Sequence, residues 1–187
     1  MEMSKERLTA FTDAVLAIIM TILVLELNKP EAMTWAAVWE LRESFFAYTV
    51  SFFWLGTMWV NMHRAWHNVE KINNELVWNA LILLFFSSFF PYTTSLVADN
   101  FDNPVAQTMY GVVVLLVTAC NIWMYVELQR LNNGKSVEDG FSILDGRGMI
   151  DVVLKVLGLI LTLTVFPPAM MWAVLITAIF IVLPRSI

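Results

Sequence analysis

Long apolar runs alternate with short polar connections along the whole chain. The first run, from Ala14 to Leu25, contains no charged residue, and Thr21 has its only hydrogen-bonding side chain. Such a run, bounded by Asp13 and Glu26, is typical of a helix that crosses a membrane. The same pattern predicts an all-α protein with six membrane-crossing helices. They fall within one unit, residues 1–187, and are residues 10–27, 44–63, 76–97, 105–128, 149–166 and 169–183.

Prolines and polar residues separate the predicted helices. Residues 28–30, Asn-Lys-Pro, end the first helix, because proline cannot continue the helical hydrogen-bond ladder. Tryptophans and acidic residues in 32–43 predict a short interfacial helix. Pro91 predicts a kink near the end of the third helix, and the two prolines at 167–168 predict a sharp reversal. The longest hydrophilic segment, residues 130–148, is expected to be a solvent loop.

The composition is that of a protein dissolved in lipid. Apolar residues make up 59% of the 187 residues and charged residues only 14%, whereas soluble domains have about 25% charged residues. Six crossings leave no room for a separate catalytic domain, so we predict that the protein is not an enzyme. The net charge of −5 argues against a nucleic-acid partner, and Cys120, the single cysteine, excludes an internal disulfide.

The distribution of Lys and Arg predicts the orientation in the membrane. With the N-terminus inside, the cations of the inner connections are Lys5, Arg7, Arg64, Lys71, Arg130, Lys135, Arg147 and Arg185, and Lys155 is left unassigned. The outer connections hold only Lys29 and Arg42, against six acidic residues, a net charge of −4. We therefore predict a multi-pass protein of the inner cell membrane with cytoplasmic termini. Its acidic outer mouth should concentrate cations.

Two histidines raise the question of a metal site. His63 and His67 are one helical turn apart, and Glu70 follows closely. Metal ligation needs such a pair and a third ligand, but residues 64–66 are Arg-Ala-Trp, so the segment is not H-E-x-x-H. We predict no metal site and no catalytic residues, and we expect these histidines to form hydrogen bonds at the membrane interface or to sense pH.

Three branched apolar residues share one side of the first helix. Ile18, Ile22 and Leu25 follow the i, i+4, i+7 spacing and form a stripe about 10 Å long. Thr21 borders this stripe. An apolar stripe on a membrane helix faces lipid by default, and a membrane threonine commonly bonds to its own helix backbone. Periodicity alone therefore leaves both a lipid anchor and a pore lining open.

The mouth of the first helix carries a family signature. Arg7, Phe11, Thr12 and Asp13 form R-x-x-x-F-[ST]-D. This resembles the signature of the transmembrane protein 175 family, the endosomal and lysosomal potassium channels and their prokaryotic relatives. The usual form is Phe-Ser-Asp-Gly; here Thr12 keeps the hydroxyl and Ala14 stays small. Residues resembling the family's second and third helices are Trp59 to His63, Arg64, Ile72, Asn79, Pro91 and Thr93.

The resemblance implies a homotetramer in the lipid bilayer with the first helix around a central K⁺ pore, and no cofactor. The hydrophobic rings of the family fall on Ile18, Ile22 and Leu25, which would form the constriction and gate. A threonine layer implicated in potassium preference falls on Thr21. Since the filter sequence Thr-Val-Gly-Tyr-Gly is absent, carbonyl rings are not expected, and we expect modest selectivity for K⁺ over Na⁺ with some proton leak.

The resemblance also implies a structural role for the signature. Arg7 and Asp13 straddle the cytoplasmic entrance of the first helix and do not reach the apolar rings. They are expected to anchor the first helix against the second and third, with His63 and Asn79 as candidate partners.

Two other functions stay open from the sequence. A secondary transporter, or a proton-leak channel, would use ionisable residues within the membrane, and only Asp151 and Lys155, near the edge of the fifth helix, fit that requirement. A non-conducting structural membrane protein would use the charges and aromatic residues for packing alone.

Overall fold

The part of the chain that the computed structural model describes, residues 4–67, 69, 71–132 and 146–182, is all-helical. Its helices are α1 (Lys5–Ile22), α2 (Trp35–Glu40), α3 (Arg42–His67), α4 (Asn74–Ser87), α5 (Phe90–Asp99), α6 (Pro104–Leu131), α7 (Gly146–Thr164) and α8 (Ala169–Val182). A 3₁₀ turn, Leu23–Glu26, continues α1. The predicted all-α class is confirmed. Most of the predicted solvent loop, residues 133–145, lies outside the described residues, as do Glu70, Lys135 and Arg185.

Polar side chains define where several helices begin. The Ser4 hydroxyl accepts a hydrogen bond from the Arg7 backbone N–H, so α1 starts five residues before its predicted boundary. The Asn73 side chain accepts from the Leu76 N–H at 2.8 Å and caps α4. Asn103 caps α6 in the same way, ahead of a proline at the first helical position. Such caps satisfy backbone donors that have no partner inside the helix.

The predicted third crossing consists of two helices. It is interrupted at Ser88 and Phe89, between α4 and α5. Pro91 has no N–H to donate to the Ser87 carbonyl four residues earlier, and its ring would clash with that carbonyl. The interruption therefore lies just before the proline, which occupies the first turn of α5, instead of forming a kink within one helix.

Three described stretches are long and apolar enough to cross a membrane. They are Lys5–Glu26, Asn74–Asp99 and Pro104–Leu131, and Asn74–Asp99 combines α4 with α5. Helix α3 is also long, with 26 residues. An apolar stretch of this length needs a lipid or protein environment along its whole surface, so the chain is a membrane protein.

Helices α3, α5 and α6 meet in an aromatic and hydroxyl cluster. Trp54 stacks on Phe90 with ring centroids 4.9 Å apart, and Phe90 meets Tyr110 edge-on at 5.7 Å. The Thr94 hydroxyl donates to Ser51, whose hydroxyl donates to Tyr110 at 3.1 Å. The hydroxyls therefore satisfy one another inside the core, where unpaired polar atoms are costly.

Helices α7 and α8 form a close antiparallel hairpin. The Thr162 hydroxyl donates to the Pro167 carbonyl at 3.0 Å and accepts from the Met170 N–H at 2.9 Å, which joins both sides of the reversal. Gly158 lies at a close contact between the two helices: a Cβ atom there would lie 2.5 Å from the Ala173 Cβ. Small residues permit such helix contacts in membranes.

We expect Gly158→Ala to lower the free energy of unfolding by about 1–3 kcal/mol, because the added methyl group forces α7 and α8 apart. Thermal unfolding of the detergent-solubilised protein measures this loss. Gly146→Ala is the matched control, since a Cβ at Gly146 has no neighbour within 4 Å. Equal stability of both variants would show that the hairpin is not packed at Gly158.

Candidate functional site

Helix α1 presents one face to the rest of the chain. Leu8, Thr12, Leu16 and Ile19 are buried, as is Leu23 in the 3₁₀ turn. The Thr12 hydroxyl donates to the Leu8 carbonyl, so this signature residue has its hydrogen bond within its own helix. The buried residues follow helical spacing, and they pack α1 against α3, α4 and α5.

The opposite face of α1 is not covered by any of the described residues. Ile18 is 57% exposed and Leu25 78%, and Ile22 and Phe11 are also exposed. Ala14 and Ala17 lie on the same uncovered side. The predicted stripe therefore points away from the subunit core. A contiguous apolar face of this kind must be covered by lipid or by another protein surface.

Thr21 lies on the uncovered side and bonds to its own helix. Its hydroxyl donates to the Ile18 carbonyl at 2.8 Å. This is the local bond expected of a membrane threonine, although it reaches back three residues instead of four. A hydroxyl has two acceptor lone pairs, so the Thr21 oxygen can still accept a donor or contact a cation.

At the C-terminal end of the stripe, the backbone differs from an ideal α-helix. Leu25 lies in the 3₁₀ turn Leu23–Glu26, which winds more tightly than α1. The angular spacing predicted for an unbroken α-helix therefore ends at Ile22. Leu25 is nevertheless the most exposed member of the stripe.

Asp13 is held by a tryptophan of α3. The Trp59 indole N–H donates to Asp13 Oδ1 at 2.8 Å. The Trp59 ring also lies over His63, with ring centroids 5.8 Å apart. The bond joins the middle of α1 to α3, so it sets both the position of α1 and its rotation about its axis. Sequence reasoning assigned Trp59 to the family resemblance and missed it as the partner of Asp13.

The other signature residues are placed differently. Arg7 is exposed, and its guanidinium makes no hydrogen bond or ion pair with the described residues. His63 is also exposed, and the structure pairs Asp13 with Trp59 instead of with His63 or Asn79. Asn79 is fully buried in α4, and neither atom of its amide has a partner among the described residues.

A second tie at the start of α1 was not predicted. The Lys5 ammonium donates to the Val69 carbonyl at 2.8 Å and to the His67 carbonyl at 3.4 Å. These carbonyls lie at and just beyond the C-terminus of α3, where cations are favoured by the helix dipole. Lys5 and Asp13 therefore attach α1 to α3 at two points about two turns apart.

The opposite end of α1 is also tied to a neighbour. The Asn28 amide donates to Asp99 at 2.6 Å. The described residues contain no group of three or more His, Cys, Asp or Glu side chains able to hold a metal ion.

Taken together, the apolar helices and the uncovered face of α1 define a helical membrane protein. The family model for the endosomal/lysosomal potassium channel TMEM175 matches residues 7–91. This confirms the family resemblance predicted from Arg7, Phe11, Thr12 and Asp13.

Curated relatives are bacterial potassium channels. A potassium channel of Chryseobacterium sp. (strain P1-3) is 41% identical over 116 residues, which cover 61% of this chain and 59% of the relative. A potassium channel of Streptomyces collinus (strain DSM 40733 / Tue 365) is 32% identical over 59% of this chain and 56% of the relative. One of Chamaesiphon minutus (strain ATCC 27169 / PCC 6605) is 33% identical over 59% of each chain. The chain thus matches a little over half the length of each relative.

The fold has a solved counterpart. The crystal structure of a lysosomal potassium-selective channel TMEM175 homolog from Chamaesiphon minutus matches with a TM-score of 0.69. The match covers 95% of each chain at 22% identity. The overall helical arrangement is therefore shared over nearly the whole chain.

We expect the bond between Trp59 and Asp13 to contribute about 1 kcal/mol to stability. Trp59→Phe should lower the free energy of unfolding by that amount and should cost little in an Asp13→Ala background. A double-mutant cycle measured by thermal unfolding gives the coupling energy. Trp78→Phe, a substitution at an exposed tryptophan of α4, is the matched control. Additive losses for Trp59→Phe and Asp13→Ala would contradict the bond.

Proposed function

We propose that this chain is the subunit of a potassium channel, in which four copies surround a central pore lined by the uncovered face of α1. The carrying observation is that Ile18, Ile22 and Leu25 project away from a subunit whose other α1 face is fully packed. A single helix cannot enclose a pore, so conduction requires several copies around an axis. The potassium-channel relatives support the choice of permeant ion.

In the tetramer, the apolar stripe becomes a hydrophobic gate. Side chains of Ile18, Ile22 and Leu25 from the four copies would form rings that contact one another instead of lipid. These rings would narrow the water path over about 10 Å. An ion entering such rings loses hydration water and gains no oxygen ligands, so a narrow pore is closed by dewetting. A modest rotation or separation of α1 would widen and hydrate it.

Thr21 supplies the selectivity layer of this proposal. Its hydroxyl is the only side-chain oxygen between Ala14 and Leu25, and it lies on the uncovered side. Its hydrogen is engaged by the Ile18 carbonyl, which leaves an oxygen lone pair available to K⁺. One layer of hydroxyl oxygens discriminates less sharply than stacked carbonyl rings. This fits modest selectivity for K⁺ over Na⁺ and some proton leak.

The hydrogen bonds between α1 and α3 affect the proposed pore indirectly. Asp13 and Lys5 bind α3, so they orient the pore-lining helix without contacting the permeant ion. Weakening these ties should alter assembly or gating before it alters ion selectivity.

The proposed topology follows the charge distribution. Six crossings would be formed by α1, α3, α4 with α5, α6, α7 and α8, with both termini in the cytoplasm of the cell's inner membrane. Lys5 and Arg64 then lie on the inner side, and Asp99 on the outer side, in line with the excess of cations inside. The acidic outer connections would raise the local K⁺ concentration at the pore entrance.

Assembly around α1 predicts that copies of Ile22 lie close together. In a Cys120→Ser background, Ile22→Cys should form disulfide-linked dimers on mild oxidation. A disulfide requires Cα atoms about 4.4–6.8 Å apart, so it forms only if copies of position 22 meet at the axis. Size measurement of the intact detergent complex should give four chains. Ile176→Cys, at an exposed position of α8, is the matched control. Equal cross-linking at both positions would argue that α1 does not line the axis.

We expect Ile18→Asn to raise K⁺ flux into proteoliposomes and to reduce K⁺/Na⁺ discrimination, because the amide hydrates the constriction. Flux and reversal potential under K⁺ and Na⁺ gradients measure both effects. Ile179→Asn on the exposed side of α8 is the matched control and should leave both unchanged. Slow, saturating exchange by the unmodified chain would instead indicate a transporter, and absence of flux a non-conducting structural protein.

A further inference from the structure

A buried ion pair lies inside the subunit, away from the uncovered face of α1. Lys155 Nζ and Asp151 Oδ2 are 2.6 Å apart, one turn apart on α7, and each side chain is 2% exposed. The sequence places these residues near the edge of the fifth predicted helix, and the structure shows that both are buried. Ionisable groups buried within a membrane protein are costly, and they commonly mark a functional site.

The Lys155 ammonium reaches two other helices. It donates to the Thr118 hydroxyl of α6 at 3.1 Å. It also lies 5.1 Å from the centroid of the Trp54 ring of α3, which is cation–π distance. The ammonium therefore contacts a carboxylate, a hydroxyl and an aromatic ring, and it links α7 to α6 and α3.

Two oxygen atoms around the pair lack hydrogen-bond donors in the described part of the chain. Asp151 Oδ1 and Asn121 Oδ1 are buried and have no hydrogen-bond partner among the described residues. Both residues line a cavity of about 40 Å³. A water molecule needs about 10–15 Å³ of such space and two to four polar partners. The cavity thus has room for about three waters, and its two unpaired oxygens require donors.

The small cavity adjoins a larger one. Thr57 and Asn61 of α3 line it, and the same two residues also line a second cavity of about 400 Å³. Met20 of α1 and Arg64 of α3 border that larger cavity. The two cavities therefore lie next to each other, with Thr57 and Asn61 bordering both, on the side where α1 and α3 meet.

We propose that the small cavity is an internal water- and proton-binding site, separate from the central pore, in which Asp151 Oδ1 takes up the proton. A hydronium ion in the cavity water gives its proton to Asp151 Oδ1: one O–H bond of the hydronium breaks, one O–H bond forms at the carboxylate, and a water molecule remains. The net charge of the pair then changes from zero to +1. Lys155 keeps its contacts with Thr118 and Trp54 and gains cavity water in place of the lost carboxylate charge.

The surroundings contain few other groups that could take this proton. The described residues of α3 that face the cavity are Trp54, Thr57, Met58 and Asn61, none of them ionisable near neutral pH. From α6, Thr118, Asn121 and Tyr125 face it, and none of them is a carboxylate, a histidine or a basic residue. Helix α8, which packs on α7 and α3, has no ionisable residue in its sequence. Asp151 and Lys155 are the charged groups at the cavity.

Infrared difference spectroscopy of the full-length chain in lipid tests the site directly. Acidification should produce a protonated-carboxyl C=O band that shifts in D₂O, and Asp151→Asn should remove that band. Asp13→Asn, which changes an aspartate outside the cavity, should retain it. The measurement does not depend on ion conduction, so its result tests the proton site independently of the proposed pore.

A second variant distinguishes proton binding from a purely structural role. Lys155→Met removes the ammonium that donates to Asp151 Oδ2, so the protonated-carboxyl band assigned to Asp151 should change in frequency. Asn121→Leu should fill the cavity and slow the D₂O-induced shift. A carboxyl band that persists in Asp151→Asn, or that keeps its frequency in Lys155→Met, would overturn the proposal.

Discussion

The structure depends on the fact that helix α1 is apolar on both sides while the described part of the chain covers only one of them. Leu16 and Ile19 are packed inside the subunit, whereas Ile18 and Leu25 are exposed among the residues that the structure describes. The covered face is stabilised by close packing, which membrane helices rely on because lipid is as apolar as their side chains. The uncovered face has no such contacts until lipid or another copy of the chain supplies them. Assembly is therefore the step on which the proposed function depends.

Polar contacts decide which face of α1 is left uncovered. Apolar side chains pack almost equally well over a range of helix rotations, but a hydrogen bond has a narrow geometry. The Trp59 bond to Asp13 and the Lys5 bonds to backbone carbonyls hold α1 at two heights. The hydroxyl chain through Ser51 and Tyr110 does the same for α3, α5 and α6. The few polar groups in this protein thus fix the orientation of helices that apolar packing alone would leave loosely defined.

Sequence patterns were most informative where they reflect local physics. The apolar run after Asp13 predicted a helix, and Pro91 predicted an irregularity in the third crossing. The irregularity proved to be a break at Ser88 and Phe89, because the effect of a proline falls on the carbonyl four residues earlier. Partners were harder to predict: the bond of Asp13 to Trp59 joins residues 46 positions apart. Neither residue type has a preference strong enough to identify the other from the sequence.

The sequence by itself determined that this is an apolar, helical membrane chain with the signature Arg7, Phe11, Thr12 and Asp13, because hydropathy, helix signals and motif spacing are properties of neighbouring residues. Only the tertiary structure decided that Ile18, Ile22 and Leu25 face outward and that Asp151 and Lys155 are enclosed together with Thr118 and Trp54. Those outcomes depend on how each helix is rotated against its neighbours. In a chain where almost every face is apolar, rotation follows from a few long-range polar contacts that no local pattern encodes.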